Sequence, residues 1–203
     1  MNAIVIRRLG RTDFEPTWRA MQRFTNARDA ATPDELWLTE HPPVFTQGLA
    51  GKPEHWLRDI GIPVVKVDRG GQITYHGPGQ AVVYLLVDLT RRGLKVRELV
   101  TRIEQAVMEL LAGYGIRGAR VAGAPGVYVD DAKIAALGLR VKNGRCYHGV
   151  ALNVDMDLTP YSAINPCGYP GLQVTQLKDL GVRADWAAAG EALLEQLKIQ
   201  IEQ

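Results

Sequence analysis

Apolar positions recur along this chain in two periods, and the points where one period gives way to the other mark its elements. Residues 3–9 read as a short strand. Phe14, Trp18, Met21 and Phe24 then follow at helical spacing behind Asp13, a residue type suited to capping a helix. Residues 35–39 and 44–46 predict two short strands split by His41, Pro42 and Pro43, because two prolines remove ladder donors and force a turn. Another apolar run covers residues 62–67, bounded by Gly61 and Gly70. Residues 80–89 are nearly continuous in apolar side chains, as a strand buried on both faces would be. Val96, Leu99, Val100, Ile103, Val107, Leu110, Leu111 and Tyr114 form one helical stripe, which Gly115 ends. Residues 127–129, 134–141 and 147–154 predict successive strands, with Asn143-Gly144 supplying a hairpin turn between the last two. Leu193, Leu194, Leu197 and Ile201 close the chain on an amphipathic helix. The expectation is one mixed α/β domain over residues 1–203, with a mixed, largely central sheet flanked by helices.

Composition narrows the class. Apolar residues make up 46% and charged residues 23% of 203, so the chain can bury a sizeable core and is neither disordered nor fibrous. A net charge of +2, with Lys and Arg scattered, gives no nucleic-acid footprint. The amino terminus carries no basic leader, and no window approaches membrane-span length, so a cytoplasmic chain with no membrane partner is expected. The two cysteines, Cys146 and Cys167, cannot build a disulfide framework or a four-cysteine zinc site. Four scattered histidines with no HxxxH spacing point away from a metal site.

The densest chemical signal is RGGQITYHGPGQ at residues 69–80. Its glycines permit left-handed turns and close approach to main-chain N–H groups, while Arg69, Thr74 and His76 add donors, which suits a polar or anionic group. It matches neither GxxxxGK[ST] nor GxGxxG, so neither ATP nor NAD is implied. Cys167 lies in NPCGYPG, too rich in proline and glycine for a helix or a central strand. A thiol on a rigid turn beside Gly168 is placed as a nucleophile would be. Cys146 reads instead as a small hydrophobe inside a strand. A thiol with a pKa of about 8.5 needs a cation or base beside it. His148 shares a strand face with Cys146, two residues on. Lys133 opens an apolar segment that would desolvate it, lower its pKa and suit it to proton transfer. A Cys146 and His148 pair is therefore a second geometric option, while spacing alone does not bring Lys133 to Cys167.

With these segments in view the chain resembles the lipoyl(octanoyl) transferases, also called lipoate-protein ligase B. The resemblance rests on RGGQITYHGPGQ at 69–80, KIAALG at 133–138, HGVALNVD at 148–155 and INPCGYPG at 164–171, and covers most of residues 35–177. It implies the biotin/lipoate protein ligase catalytic-domain fold. It also implies the first step of endogenous protein lipoylation: an octanoyl or lipoyl group passes from acyl-carrier protein to a lysine of lipoyl domains in 2-oxoacid dehydrogenase complexes and the glycine cleavage H protein. By that pattern Cys167 is the nucleophile and Lys133 the residue that favours its thiolate. Arg69, Gly70, Gly71, Gln72, Ile73, Thr74, Tyr75 and His76, with Ala136, Leu137, Gly138, Gly149, Val150 and Ala151, would line the substrate pocket. Exchange of one thioester for another needs no cofactor. The rivals are an ATP-dependent lipoate or biotin ligase and a non-catalytic effector-binding domain of the same fold.

Overall fold

The apolar run at residues 80–89 becomes the centre of the molecule. In the computed structural model, which describes residues 3–203, the elements run β1 (Val5–Arg11), α1 (Phe14–Ala27), β2 (Glu35–Glu40), β3 (Val44–Gln47), β4 (Val64–Lys66), β5 (Ile73–His76), β6 (Gln80–Asp88), α2 (Leu89–Arg92), α3 (Val96–Gly113), β7 (Ala119–Val121), β8 (Ala124–Val129), β9 (Ala132–Lys142), β10 (Arg145–Asn153) and α4 (Trp186–Glu202). Met1 and Asn2, part of the amino-terminal stretch read above, lie outside the described residues. A seven-stranded mixed sheet has the order β1-β2-β6-β10-β9-β8-β7, parallel only between β1 and β2. A three-stranded sheet, β4-β3-β5, sits apart from it. Among the described residues no helix is long and apolar enough to cross a membrane.

Two apolar layers sandwich the large sheet. On one face Val83, Leu85 and Val87 of β6 pack with Leu99, Ile103 and Val107 of α3 and Leu193, Leu194 and Leu197 of α4. On the other, Phe14, Trp18 and Met21 of α1 pack against Trp37, Val82, Tyr84, Leu86 and Tyr147. Strict alternation along β6 sends successive side chains into opposite layers, which is why its sequence reads as an unbroken apolar run. Burying such side chains stabilises by about 1.5–3 kcal/mol each.

The α3 stripe is narrower than its sequence suggests. Val96 and Tyr114 are exposed, and Glu104 and Ala106 take inward positions. Asp13 stands at the cap of α1 but makes no side-chain cap bond. The Asn143-Gly144 turn forms as expected, with φ of +51° and +74°. Strand β5 lies inside the glycine-rich stretch that reads as a loop. It forms because β3 offers an open edge, pairing Val44 with His76 and Gln47 with Ile73. Strand β7, three exposed residues at the sheet edge, is too short for the alternation of Ala119, Arg120 and Val121 to announce a strand.

Candidate active site

Two backbone features bring residue 133 to residue 167. Lys133 opens β9 just after the Asp130-Asp131 turn, and its main chain is zipped to the segment that follows the cysteine: Lys133 N donates to Gln173 O at 2.9 Å and Thr175 N to Lys133 O at 3.0 Å. Cys167 sits in the one-turn segment Pro166–Gly168 with φ 57° and ψ 14°, a left-handed conformation that costs a residue with a Cβ about 1–2 kcal/mol. The turn is pinned from behind. Asn165 N donates to His55 O, and Gly168 N to Asn165 O. Strain held in place by its surroundings is characteristic of reacting groups.

At this junction Lys133 Nζ lies 2.9 Å from Cys167 Sγ and donates to Pro125 O at 3.0 Å, with the Tyr128 ring 5.1 Å away. Lys133 is only 3% exposed. Burial pulls a lysine down, as the sequence suggests. Here, however, the facing Cys167 charge, its hydrogen bond and Tyr128 push harder the other way, so Lys133 stands above its ordinary value. The expectation of a lowered lysine therefore fails while the sulfur is ionised, because an opposite charge in contact outweighs desolvation.

Beside the pair opens a cavity of about 330 Å³, within the range of small-molecule sites. It exists because β8 stops pairing with β9 beyond Ala135, leaving the next residues of β9 to face the 69–74 loop. Gly70 N ties that loop to β9 through Leu139 O at 2.9 Å, so this glycine N–H is already used and is not free for a ligand. Residues 69–74 and His76, residues 136–138 and residues 149–151 line the cavity together with Lys133 and Cys167. Tyr75 does not. Its side chain alternates to the other side of β5 and packs with Phe45 and Tyr161, ring centroids 5.5 Å away in each case.

The loop's polar groups divide by charge. Arg69 is buried, and burial pulls it to about 10, so it stays ionised at neutral pH. Its guanidinium donates to Thr46 O, Thr46 Oγ1 and Gly70 O, all uncharged acceptors, leaving a net positive charge at the cavity wall. His76 is pushed to about 3, chiefly by burial, with the nearby His41 ring and the Arg69 guanidinium adding to it. It is therefore a neutral ring, bonded to Gln80 Oε1 at 2.8 Å and stacked on Phe14. Asp68 anchors the loop's start. Burial works to raise it, but donors from His148, Tyr147, Gln22 and Trp18 hold its carboxyl well below the usual carboxylate range.

The rival pair Cys146 and His148 does not form. Cys146 is fully buried in the layer under α3 and α4, where burial pushes its thiol up to about 12. His148 has φ 64°, which breaks the strand alternation, and its ring stacks on Tyr147 and reaches Asp68 at 3.0 Å. Sequence reasoning missed Phe14, Tyr84, Pro125 and Tyr169, which also line the cavity. They come from four separate segments and share no local motif.

Comparison with known proteins gives a consistent picture. The lipoyl protein ligase A/B catalytic-domain model matches residues 13–198. An octanoyltransferase of Aromatoleum aromaticum is 69% identical over 97% of this chain and 85% of its own length. One from Dechloromonas aromatica is 64% identical over 98% and 97%. Among solved structures, a bi-partite lipoate protein ligase from Thermoplasma acidophilum superposes with a TM-score of 0.76 at 15% identity, covering 99% of this chain and 85% of that one. Lipoate-protein ligase A bound with ATP gives 0.73 at 14%, covering 99% and 85%. At such identities these two structures speak for the fold alone, whereas the family model and the near-full-length relatives establish kinship: the chain belongs to the lipoyl protein ligase A/B catalytic-domain family, alongside its octanoyltransferases.

Proposed function

We propose that this chain is a cytoplasmic octanoyltransferase, one catalytic domain, that carries the acyl group as a thioester on Cys167. The observation that carries the reading is the 2.9 Å contact between Lys133 Nζ and Cys167 Sγ at the mouth of a largely apolar cavity. In the first half-reaction the thiolate attacks the thioester carbon of octanoyl-acyl-carrier protein. The tetrahedral intermediate collapses with expulsion of the carrier thiolate, which takes the Lys133 ammonium proton. The Arg69 charge favours the negative charge that develops at the carbonyl oxygen. One thioester replaces another, so activation arrives with the donor.

Acylation then changes the lysine. The esterified sulfur no longer bears the charge that held the Lys133 proton, and burial, the largest influence on this group, favours the neutral amine. That amine accepts the proton of the incoming lysine of a lipoyl domain as it attacks the acyl carbon. Sulfur leaves as the thiolate, the pair is restored, and a ping-pong cycle results. The acceptors on this reading are lipoyl domains of 2-oxoacid dehydrogenase complexes and the glycine cleavage H protein.

Incubation of the purified chain with octanoyl-acyl-carrier protein, followed by intact mass before and after hydroxylamine, tests the proposal. One labile octanoyl adduct is expected without ATP, and none on Cys167→Ala. A requirement for ATP, or an adduct that persists in Cys167→Ala, overturns it.

A further inference from the structure

The buried face of α3 carries one carboxylate among apolar neighbours. Glu104, flanked by Ile103, Ala106 and Val107 in that layer, is 6% exposed. Its Oε2 accepts from Arg120 Nε at 3.0 Å, and its Oε1 accepts from Gly126 N, also at 3.0 Å. The second bond matters because Gly126 N belongs to the same peptide group as Pro125 O, the acceptor of the Lys133 ammonium. A peptide group is planar and conjugated, so an anion that accepts from its N–H pushes electron density toward its oxygen and strengthens that oxygen as an acceptor. The line of contact runs Glu104 carboxylate, Pro125–Gly126 peptide, Lys133 Nζ, Cys167 Sγ.

Gly126 shows that this arrangement is held tightly. Its φ is +133°, and a Cβ there would lie 2.6 Å from Ala135 O and 3.1 Å from Lys133 Cε. No side chain fits between the peptide and the lysine stem.

We propose that Glu104 is a positioning residue for acyl transfer, holding and polarising through one peptide group the carbonyl that receives the Lys133 ammonium. The proposal rests on the Cys167 and Lys133 reading above. Its action parallels that of a carboxylate orienting a catalytic base, with a backbone amide interposed. Its consequence is a setting of when Lys133 gives up its proton. The groups facing Lys133 are Cys167 on its one-turn segment and Tyr128 on β8, with Arg69 across the cavity and Tyr169 beyond Tyr128. Arg120, near the sheet edge, faces Glu104. A carboxylate that merely pinned α3 to β8 would affect folding and leave the lysine's titration alone.

The test uses acyl-enzyme isolated from the full chain and a lipoyl domain as acceptor, with single-turnover transfer followed across pH. The acceptor's own titration is common to all variants, so differences between them report Lys133. Glu104→Gln removes a negative charge from the relay, and the inflection of the rate should move toward acid by roughly half a pH unit, with a lower plateau. Arg120→Gln removes the cation that neutralises Glu104, and the inflection should move the opposite way. If Glu104→Gln folds poorly, Arg120→Gln alone carries the sign. Unmoved inflections in both variants, or a loss of melting temperature with the wild-type pH profile, overturn the relay while the wild-type adduct on Cys167 leaves the catalytic reading standing. Absence of that wild-type adduct instead removes the reading on which the relay depends.

Discussion

Asp34 and Cys167 each face buried cationic side chains, yet one site is saturated and the other is left unfinished. Asp34, fully buried at the start of β2, accepts from Arg28, Arg91 and Arg92 at 2.6 Å each and from Asp88 N at 2.8 Å. Those partners bind the end of α1, the end of β6 and α2 to one carboxylate. Cys167 receives a single charged donor, on a strained turn beside an open cavity. Saturation fixes geometry, because every donor lost leaves a buried charge uncompensated. An unsaturated pair can exchange partners, since the sulfur can become an ester and the lysine a neutral amine without dismantling anything around them.

The contrast breaks most visibly at Asp34. Asp34→Ala should cost about 3–5 kcal/mol by stranding its arginines, read by chemical denaturation, while transfer per folded molecule stays near wild type. Lys133→Ala should do the reverse, slowing transfer by at least ~100-fold with little change in melting temperature. Equal falls in stability and rate for both variants would erase the distinction. Gly126→Ala belongs to both classes: the strained φ and the clash with Ala135 O should cost about 1–3 kcal/mol, and displacement of Lys133 should slow acyl-enzyme formation as well. A variant with wild-type rate and stability would show that the peptide beside the lysine is not constrained.

The smallest effect is a pH dependence. Burial raises Asp34, but the Asp88 N–H and the arginines more than reverse this, so its folded value is depressed. A depressed carboxyl contributes stability that is fully present above its unfolded value of about 3.9 and is lost as pH falls through the folded value. The melting-temperature gap between wild type and Asp34→Asn should therefore be widest near neutrality and close below about pH 4. A gap that is constant with pH would remove ionisation from the account of this node.

Much of the fold is legible in the chain because the signals are local. The unbroken apolar run at residues 80–89, the stripes of α1, α3 and α4 and the Asn143-Gly144 turn each reflect a periodicity or a backbone preference set within a few residues. Strand β5 was not legible, because four residues between glycines form a strand only when β3 presents an edge. The Cys146 and His148 pairing read from strand alternation failed at one residue, His148, whose left-handed backbone no local pattern announces.

The site divides in the same way. The residues alone mark Cys167 as a thiol on a rigid turn, Lys133 as a lysine among apolar neighbours and residues 69–80 as a polar glycine-rich stretch. Tertiary structure decided that the lysine and the sulfur meet across 34 positions, that Tyr75 turns away while His76 faces the cavity, and that Glu104 reaches the lysine through a backbone amide. The physical reason is range. Propensity and periodicity act over one or two turns of chain, whereas an ion pair forms only where strand pairing brings distant segments within about 3–4 Å and burial removes the competing water.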